Sequence, residues 1–233
     1  EIVDLVGGLR DIASRTLRFI GDAEARIRED HLRILRFFRF FAWYGSGRPD
    51  AEGLRACVRL KDSVAQLSAE RVWSEMKKLL SAPDPSRALL WMRQTGVLTV
   101  ALPESEKWGI DAVHGLVSAE RDLGWSPDPL LRLMAIIPPV SEQVDALADR
   151  LKIANRERER LEKWAASALP NSELDNSKFA RELYFGDPDG IGDRLKLALA
   201  SARAKAVSDD REMMKAAGYS RLLEFADKWE KPV

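Results

Sequence analysis

Residues 29–40 read Glu-Asp-His-Leu-Arg-Ile-Leu-Arg-Phe-Phe-Arg-Phe, and their spacing decides the fold class. Apolar side chains recur here at intervals of three and four, as they do along one face of an α-helix. Asp30 is a favourable N-cap residue, and the glycine- and proline-containing run 45–49 is typical of the loop that follows a helix. The stretch therefore predicts a helix from Asp30 to about Tyr44.

The same helical spacing recurs along most of the remaining chain. Sustained two-residue alternation, which indicates β-strands, is nearly absent. Breaks such as Pro83-Asp84-Pro85, Gly96 and Pro138-Pro139 separate the apolar segments. The sequence predicts an all-α fold, a multi-helix array of helix pairs. The predicted helices span about 30–44, 50–61, 69–80, 86–95, 111–123, 129–137, 142–151, 155–169, 177–185, 194–207, 210–217 and 221–230.

The composition is that of a soluble globular protein without a membrane span. The chain has 233 residues, 45% of them hydrophobic, and its longest apolar runs, such as residues 89–92, are too short to cross a bilayer. The one cysteine, Cys57, cannot form an internal disulfide, which fits a reducing compartment. We expect a cytoplasmic protein with no membrane partner. Because the chain begins with Glu1 in the middle of a pattern, we also expect it to be a piece of something longer.

Charge is balanced over the whole chain but sorted near its start. Lys+Arg 37 equals Asp+Glu 37, so any site for a polyanion must come from local clustering. Between residues 10 and 39 there are arginines at 10, 15, 18, 26, 28, 33, 36 and 39, acids at 11, 22, 24, 29 and 30, and no lysine. Arginine without lysine favours forked, directional hydrogen bonding over loose attraction to phosphates.

Asp30 and Arg33 lie one helical turn apart and would share a face. A carboxylate accepts hydrogen bonds and a guanidinium donates them, so together they match a base edge that carries a donor beside an acceptor. Adenine and cytosine have such an edge, whereas guanine and uracil reverse or lose it. The alternative is an ordinary surface salt bridge, which is common at this spacing. Apolar side chains flank the arginines at 33, 36 and 39, which predicts partial desolvation and specific partners.

These residues form part of a longer ordered pattern. Glu29-Asp-x-x-Arg33-x-x-Arg36-x-x-Arg39-Phe40 resembles the nucleotide-recognition motif of class II tRNA CCA-adding enzymes and bacterial poly(A) polymerases. Asp4-x-x-Gly7-Gly8-x-x-Asp11 resembles their flexible-loop motif, and residues 67–76 resemble their neck-to-body segment. The resemblance covers about residues 1–105. Beyond them the chain matches only as a helical body and tail.

The resemblance implies a division of the chain and a set of roles. Residues 1–21 would be a flexible-loop segment, 22–104 a neck and body with the recognition helix, and 105–233 a helical, tRNA-binding body and tail. Residues 1–20 would be irregular, or a strand-like remnant of a head domain. Asp30 and Arg33 would pair with the base of ATP or CTP, with Arg36 and Arg39 supporting them. The supporting and flexible-loop residues would be Asp4, Gly7, Gly8, Asp11 and Glu29.

The family's chemistry needs Mg²⁺ ions held by a pair of head-domain aspartates, and the resemblance places no catalytic or metal-binding residue in this chain. We therefore expect this fragment alone to be inactive. Asp187-Pro188-Asp189 has an acid-x-acid spelling, but its proline and the glycines around it predict a surface turn.

Basic residues of the second half are candidates for contacts with the tRNA acceptor arm, while a solvated helix with weak ion pairs remains the alternative. The candidates are Arg156, Arg160, Lys163, Arg194 and Lys196, with Arg203 and Lys205 beyond them. Restored to a head, the chain would help add CCA to tRNA 3′ ends from CTP and ATP. Poly(A) addition, and a non-enzymatic helical RNA-binding or interaction module, remain alternative functions. The oligomeric state stays open.

Overall fold

A computed structural model of the protein describes residues 3–106 and 109–232. Across these ranges the regular structure is helical and contains no strand, so the all-α prediction is confirmed. None of the described helices combines the length and the apolarity that crossing a bilayer requires. The chain forms two compact units, Glu1–Ile110 and Asp111–Val233.

The first unit is built around α3 (Leu32–Tyr44) and α5 (Ala69–Leu80). Helix α3 packs against α5 and α6 (Ser86–Gln94), and its Ile34 and Phe38 are fully buried. Met92 of α6 and Leu80 of α5 complete this core. The helices are α1 (Gly8–Ser14), α2 (Ala23–Glu29), α3 (Leu32–Tyr44), α4 (Ala51–Leu60), α5 (Ala69–Leu80), α6 (Ser86–Gln94) and α7 (Val97–Ala101), with 3-10 helices at Lys61–Gln66 and Pro103–Ser105.

The second unit is organised by its long helix α13 (Pro188–Lys205). This helix packs against α8 (Asp111–Leu123), α11 (Asn155–Ala166) and α14 (Asp210–Ala226). Trp164, Phe179 and Leu195 are buried in this unit. The helices are α8 (Asp111–Leu123), α9 (Pro129–Ile136), α10 (Ser141–Leu151), α11 (Asn155–Ala166), α12 (Asn176–Phe185), α13 (Pro188–Lys205) and α14 (Asp210–Ala226).

Local capping signals account for several helix boundaries. The Asp50 carboxylate accepts a hydrogen bond from the Gly53 amide at 2.7 Å and begins α4. Gly96 separates α6 from α7 with a φ of 74°, a left-handed conformation that glycine adopts without a steric cost. The Asp30 carboxylate accepts a hydrogen bond from the Leu32 amide at 3.1 Å, but the N-cap residue of α3 is His31, so the predicted cap lies one residue early.

The start of the chain differs from the expected irregular or strand-like backbone. Helix α1 occupies residues 8–14, with irregular backbone on either side in the described part of the chain. The Asp4 carboxylate accepts hydrogen bonds from the amides of Gly8 and Leu9 and so caps the helix. Helix α1 has no buried residue, and so short a segment without a core-facing stripe gives no periodic signal.

The predicted surface turn at Asp187-Pro188-Asp189 is wrong. Asp187 is the N-cap of α13, its carboxylate accepts from the Gly190 amide at 2.9 Å, and Pro188 is the first helical residue. Aspartate and proline serve turns and helix starts equally well, so the dipeptide was ambiguous. The helix consequently begins at Pro188 and not near Arg194.

The two helices predicted for 210–217 and 221–230 are one helix, α14. Gly218 lies inside α14, where a Cβ added to the glycine would come within 2.2 Å of the Ser172 carbonyl oxygen. This glycine permits close approach of two backbones and does not end a helix. Sequence alone does not distinguish these two uses of glycine.

Candidate nucleotide and RNA sites

Asp30 lies at the junction of α2 and α3, with 29% of its side chain exposed. Its Oδ1 accepts hydrogen bonds from the Leu32 amide and, at 2.9 Å, from Nη2 of Arg71 on α5. Burial raises the pKa of this carboxyl, but the Leu32 amide and Arg71 outweigh burial and hold the pKa below its usual value. Asp30 is therefore an ionised acceptor with a fixed orientation.

Arg33 is oriented by partners on α2. Its Nη1 donates to Oε2 of Glu29 at 2.6 Å and to the Arg26 carbonyl oxygen at 2.8 Å. The Arg33 hydrogen bond, with Arg26 nearby, lowers the pKa of the Glu29 carboxyl. The side chains of Asp30 and Arg33 are thus hydrogen-bonded to other residues and not to each other, although the Arg33 amide donates to the Asp30 carbonyl oxygen at 3.0 Å. With 27% of the Arg33 side chain exposed, neither member of the predicted pair is sealed inside the unit.

Arg36 and Arg39 both approach Glu75, a buried carboxylate on α5. Nη1 of Arg39 lies 3.1 Å from Oε2, and Nε of Arg36 lies 3.8 Å from Oε1. The Arg39 guanidinium also lies over the Phe40 ring, 4.3 Å from its centroid. Arg39 is mostly buried and joins α3 to α5, whereas Arg36 is about half exposed.

Sequence reasoning missed Arg71 and Glu75 as members of this cluster. Both lie on α5, in the segment that resembles the family's neck-to-body region. Their spacing of four residues places them on one helix face, which was the available signal. Assigning them to Asp30 and Arg39 requires the packing of α3 on α5.

The predicted flexible-loop residues lie around the start of α1. Asp4 accepts from the amides of Gly8 and Leu9 at 2.7 and 2.9 Å, and these backbone bonds, Leu9 foremost, lower its pKa. Nε of Arg18 donates to Asp11 at 2.6 Å. Gly7 has a φ of 76°, which a residue with a Cβ adopts at a cost. The carboxylates of Asp4 and Asp11 therefore order this loop.

A groove of about 270 Å³ lies where α3 meets the segment before α2. Four arginines and five apolar side chains line it, and Asp30 is not among them. The lining residues are Arg18, Arg26, Arg33, Arg36, Leu17, Phe19, Ile20, Phe37 and Phe40.

In the second unit, a cavity of about 540 Å³ brings together four of the five predicted RNA contacts: Arg156, Arg160, Lys163 and Lys196. Carboxylates also line it, at positions 159, 189, 193 and 227. Arg160 donates to both oxygens of buried Asp193 at 2.8 Å, so it is largely committed within the unit. Arg156 is exposed and forms no ion pair with another described residue.

Arg194 lies apart from that cavity. Its Nε donates to the Ser167 carbonyl oxygen at 2.8 Å, and its guanidinium lies 5.7 Å from the centroid of the buried Trp164 ring. Burial lowers the pKa of Arg194. Arg203 lies 3.6 Å from Asp122, and Lys205 is exposed near the end of α13.

The described residues contain no cluster of three or more His, Cys, Asp or Glu side chains that could hold a metal ion. Asp187 belongs to the acid-x-acid pattern that could suggest a metal ligand. Its carboxylate instead accepts a hydrogen bond from the Gly190 amide and caps a helix.

A family model described as the probable RNA and SrmB-binding site of polymerase A matches residues 49–108. A CCA-adding enzyme from Bordetella bronchiseptica is 34% identical over 185 residues, which are 75% of this chain and 48% of that protein. The mitochondrial CCA tRNA nucleotidyltransferase 1 of Mus musculus is 33% identical over 160 residues, 67% of this chain and 36% of that protein.

The likeness extends to the fold. A crystal structure of the Bacillus stearothermophilus CCA-adding enzyme in complex with CTP superposes with a TM-score of 0.62 at 21% identity, covering 95% of this chain and 53% of that one. The Vibrio cholerae multifunctional CCA protein is 29% identical over 243 residues, 100% of this chain and 57% of that protein. This chain thus spans between about a third and somewhat more than half of these relatives. The chain belongs to the family of class II tRNA CCA-adding enzymes and bacterial poly(A) polymerases.

Proposed function

We propose that this chain is the nucleotide-selecting and RNA-holding portion of a nucleotidyltransferase that adds CCA to tRNA 3′ ends from CTP and ATP. One observation carries the proposal: an ionised acceptor, Asp30, and a donor, Arg33, lie three residues apart, partly exposed and each held by its own partner. The names of the relatives, CCA-adding enzymes and a CCA tRNA nucleotidyltransferase, support the reaction class.

The remaining hydrogen-bonding capacity of this pair fits one kind of base edge. Among the described residues, only Oδ1 of Asp30 and only Nη1 of Arg33 are engaged, which leaves Oδ2 as an acceptor and the rest of the guanidinium as donors. The amino group of adenine or cytosine would donate to Asp30, and the neighbouring ring nitrogen would accept from Arg33. Guanine and uracil would leave a desolvated group unpaired, which is costly.

Replacing Arg33 by alanine in the complete protein tests this proposal. Losing a charge-assisted hydrogen bond should reduce discrimination of ATP and CTP against GTP and UTP by about 10- to 100-fold. RNA affinity should fall far less than base discrimination, because the pair reads the base of the nucleotide and not the RNA backbone. The measurement is kcat/KM for each nucleotide, together with the Kd for tRNA.

The matched control is Arg28→Ala, since Arg28 is exposed on α2 and pairs with Glu24 outside the site. Equal losses of base selection and RNA binding on Arg33→Ala would contradict nucleotide selection and favour a non-enzymatic RNA-binding module. Poly(A) addition is the second candidate, favoured by the polymerase A description of the matching family model. Sequencing the products on a tRNA that lacks CCA separates these two activities.

The second unit is proposed to hold the acceptor arm of tRNA through basic residues that line its cavity, above all Arg156, which forms no ion pair with another described residue. Arg156→Gln should weaken binding of an acceptor-arm hairpin about three- to tenfold near 0.1 M salt and lower the slope of log K against log salt by about one. Arg211→Gln is the control, because Arg211 is exposed on α14 and does not line the cavity. An unchanged slope on Arg156→Gln would remove this residue from the RNA contact.

The Mg²⁺ that the complete enzyme would need is proposed to be held by residues outside this chain, where it would stabilise the triphosphate charge. A cytoplasmic location belongs to the same proposal. Cys57 is consistent with it, since the thiol is fully buried and burial raises its pKa to about 12, which keeps it protonated and unreactive.

A further inference from the structure

The groove lined by Arg18, Arg26, Arg33 and Arg36 has an uneven division of charge. Glu29 is shared by Arg26 and Arg33, whose Nη1 atoms lie 2.7 and 2.6 Å from its Oε2. Glu75 is shared by Arg36, Arg39 and Lys78, at 3.8, 3.1 and 4.0 Å. Two carboxylates thus serve five cations. Guanidinium groups that share one carboxylate repel each other, and an added anion would relieve that repulsion.

The arginines of the groove are held in place by some of their hydrogen-bond donors, while other donors stay unused by the described residues. Within the described chain, Arg26 and Arg33 each donate only through Nη1, so the rest of each guanidinium is open to a ligand. Arg18 is fixed by Asp11 and by the Val6 carbonyl oxygen, 3.2 Å from its Nη2. Among the described residues Arg36 has one ion pair, at 3.8 Å between its Nε and Glu75, and it also acts electrostatically on Asp30. Oriented forks with spare donors match the oxygens of a phosphate group.

The apolar wall of the groove is rigid. Phe19 stacks on Phe37 with ring centroids 5.2 Å apart and planes within 8°. Phe37 is buried, and Phe38 meets it edge-on at 5.4 Å. Phe40, 38% exposed, forms the open end of the wall. A base or ribose attached to a phosphate in the groove could lie against this ring.

From this geometry we infer that the groove is a phosphate site, with Arg18 and Arg26 as ligand-binding residues beside Arg33 and Arg36. Its ligand is a phosphate group of the RNA 3′ end or of a nucleoside triphosphate. The volume of about 270 Å³ admits such a group, and no carboxylate is among the lining residues. This inference deepens the proposed function, because Arg33 and Arg36 take part in both, but it concerns phosphate affinity and not base selection.

The test is isothermal titration of this chain with inorganic tripolyphosphate, which has no base. Arg26→Gln should weaken binding about tenfold, as expected for the loss of a charge-assisted hydrogen bond. Arg28→Gln, which removes the same charge from α2 outside the groove, should change binding by less than about twofold. Equal weakening by both substitutions, or no binding of tripolyphosphate at all, would overturn the inference.

Competition separates the two sources of phosphate. Displacement of tripolyphosphate by a short single-stranded RNA assigns the groove to the RNA 3′ end, displacement by ATP and GTP alike assigns it to the nucleotide, and displacement by neither overturns the inference. Arg26→Lys keeps the positive charge but lacks the forked guanidinium, so its affinity for tripolyphosphate should lie between those of the unchanged chain and Arg26→Gln. Far-UV circular dichroism checks the fold of each variant. Unaltered preference for ATP over GTP in Arg26→Gln would keep the base-selection proposal intact whatever the phosphate result.

Discussion

Replacing Arg132 by methionine should lower the free energy of unfolding of the second unit by about 3–5 kcal/mol. Arg132 of α9 and Glu120 of α8 form an ion pair whose side chains are only 1% and 4% exposed. Nη2 of Arg132 lies 2.7 Å from Oε2 of Glu120, and Nε lies 3.2 and 3.1 Å from the two carboxylate oxygens. Removing the guanidinium leaves a desolvated carboxylate without its partner, which is the costly half of a buried pair.

In urea unfolding, this loss should appear as a lower midpoint concentration of urea. The slope of the unfolding free energy against urea concentration should not change. Arg211→Met is the control for the change of residue type, since Arg211 is exposed, and it should alter stability by less than about 0.5 kcal/mol. The double replacement Arg132→Met with Glu120→Leu should recover most of the stability, because no charge is then left buried. A cost below about 1 kcal/mol for Arg132→Met alone would contradict the ion pair as a core element.

Gly218→Val should destabilise the second unit by about 2–4 kcal/mol. A Cβ at position 218 would meet the Ser172 carbonyl oxygen at 2.2 Å and the Ser172 Cβ at 2.9 Å. The carbonyl oxygen is a backbone atom and the Cβ is attached directly to the backbone, so neither can rotate away from the new side chain. Helix α14 must therefore move away from Ser172 and lose packing. Thermal and urea unfolding of the variant measure the change.

Gly192→Val provides the matched control for this substitution. Gly192 is also inside a helix, α13, but a Cβ added there would have no neighbouring atom within 4 Å. Its replacement should change stability by less than about 0.5 kcal/mol, since valine restricts the unfolded chain more than glycine does. Similar losses at both positions would show that the effect of Gly218→Val does not come from the contact with Ser172.

The fold class and many helix boundaries could be predicted because their causes are local. Asp50 caps α4 through an amide three residues away, and Gly96 separates two helices through its own φ of 74°. Residue patterns that occur in two kinds of local structure led to the wrong predictions. Asp187 and Pro188 begin a helix as readily as they form a turn, and Gly218 continues a helix where glycine more often ends one.

The sequence by itself determined an all-α chain, a capped helix behind Asp30, and an acceptor and a donor three residues apart, because these depend on periodicity and on atoms within one turn. Only the tertiary structure decided what holds them. Arg71 reaches Asp30 across 41 positions of sequence, and Glu75 reaches Arg39 across 36. The packing of helix on helix selects such ion pairs among many candidate charges, so they follow from how α3 lies on α5 and not from the order of residues along either helix.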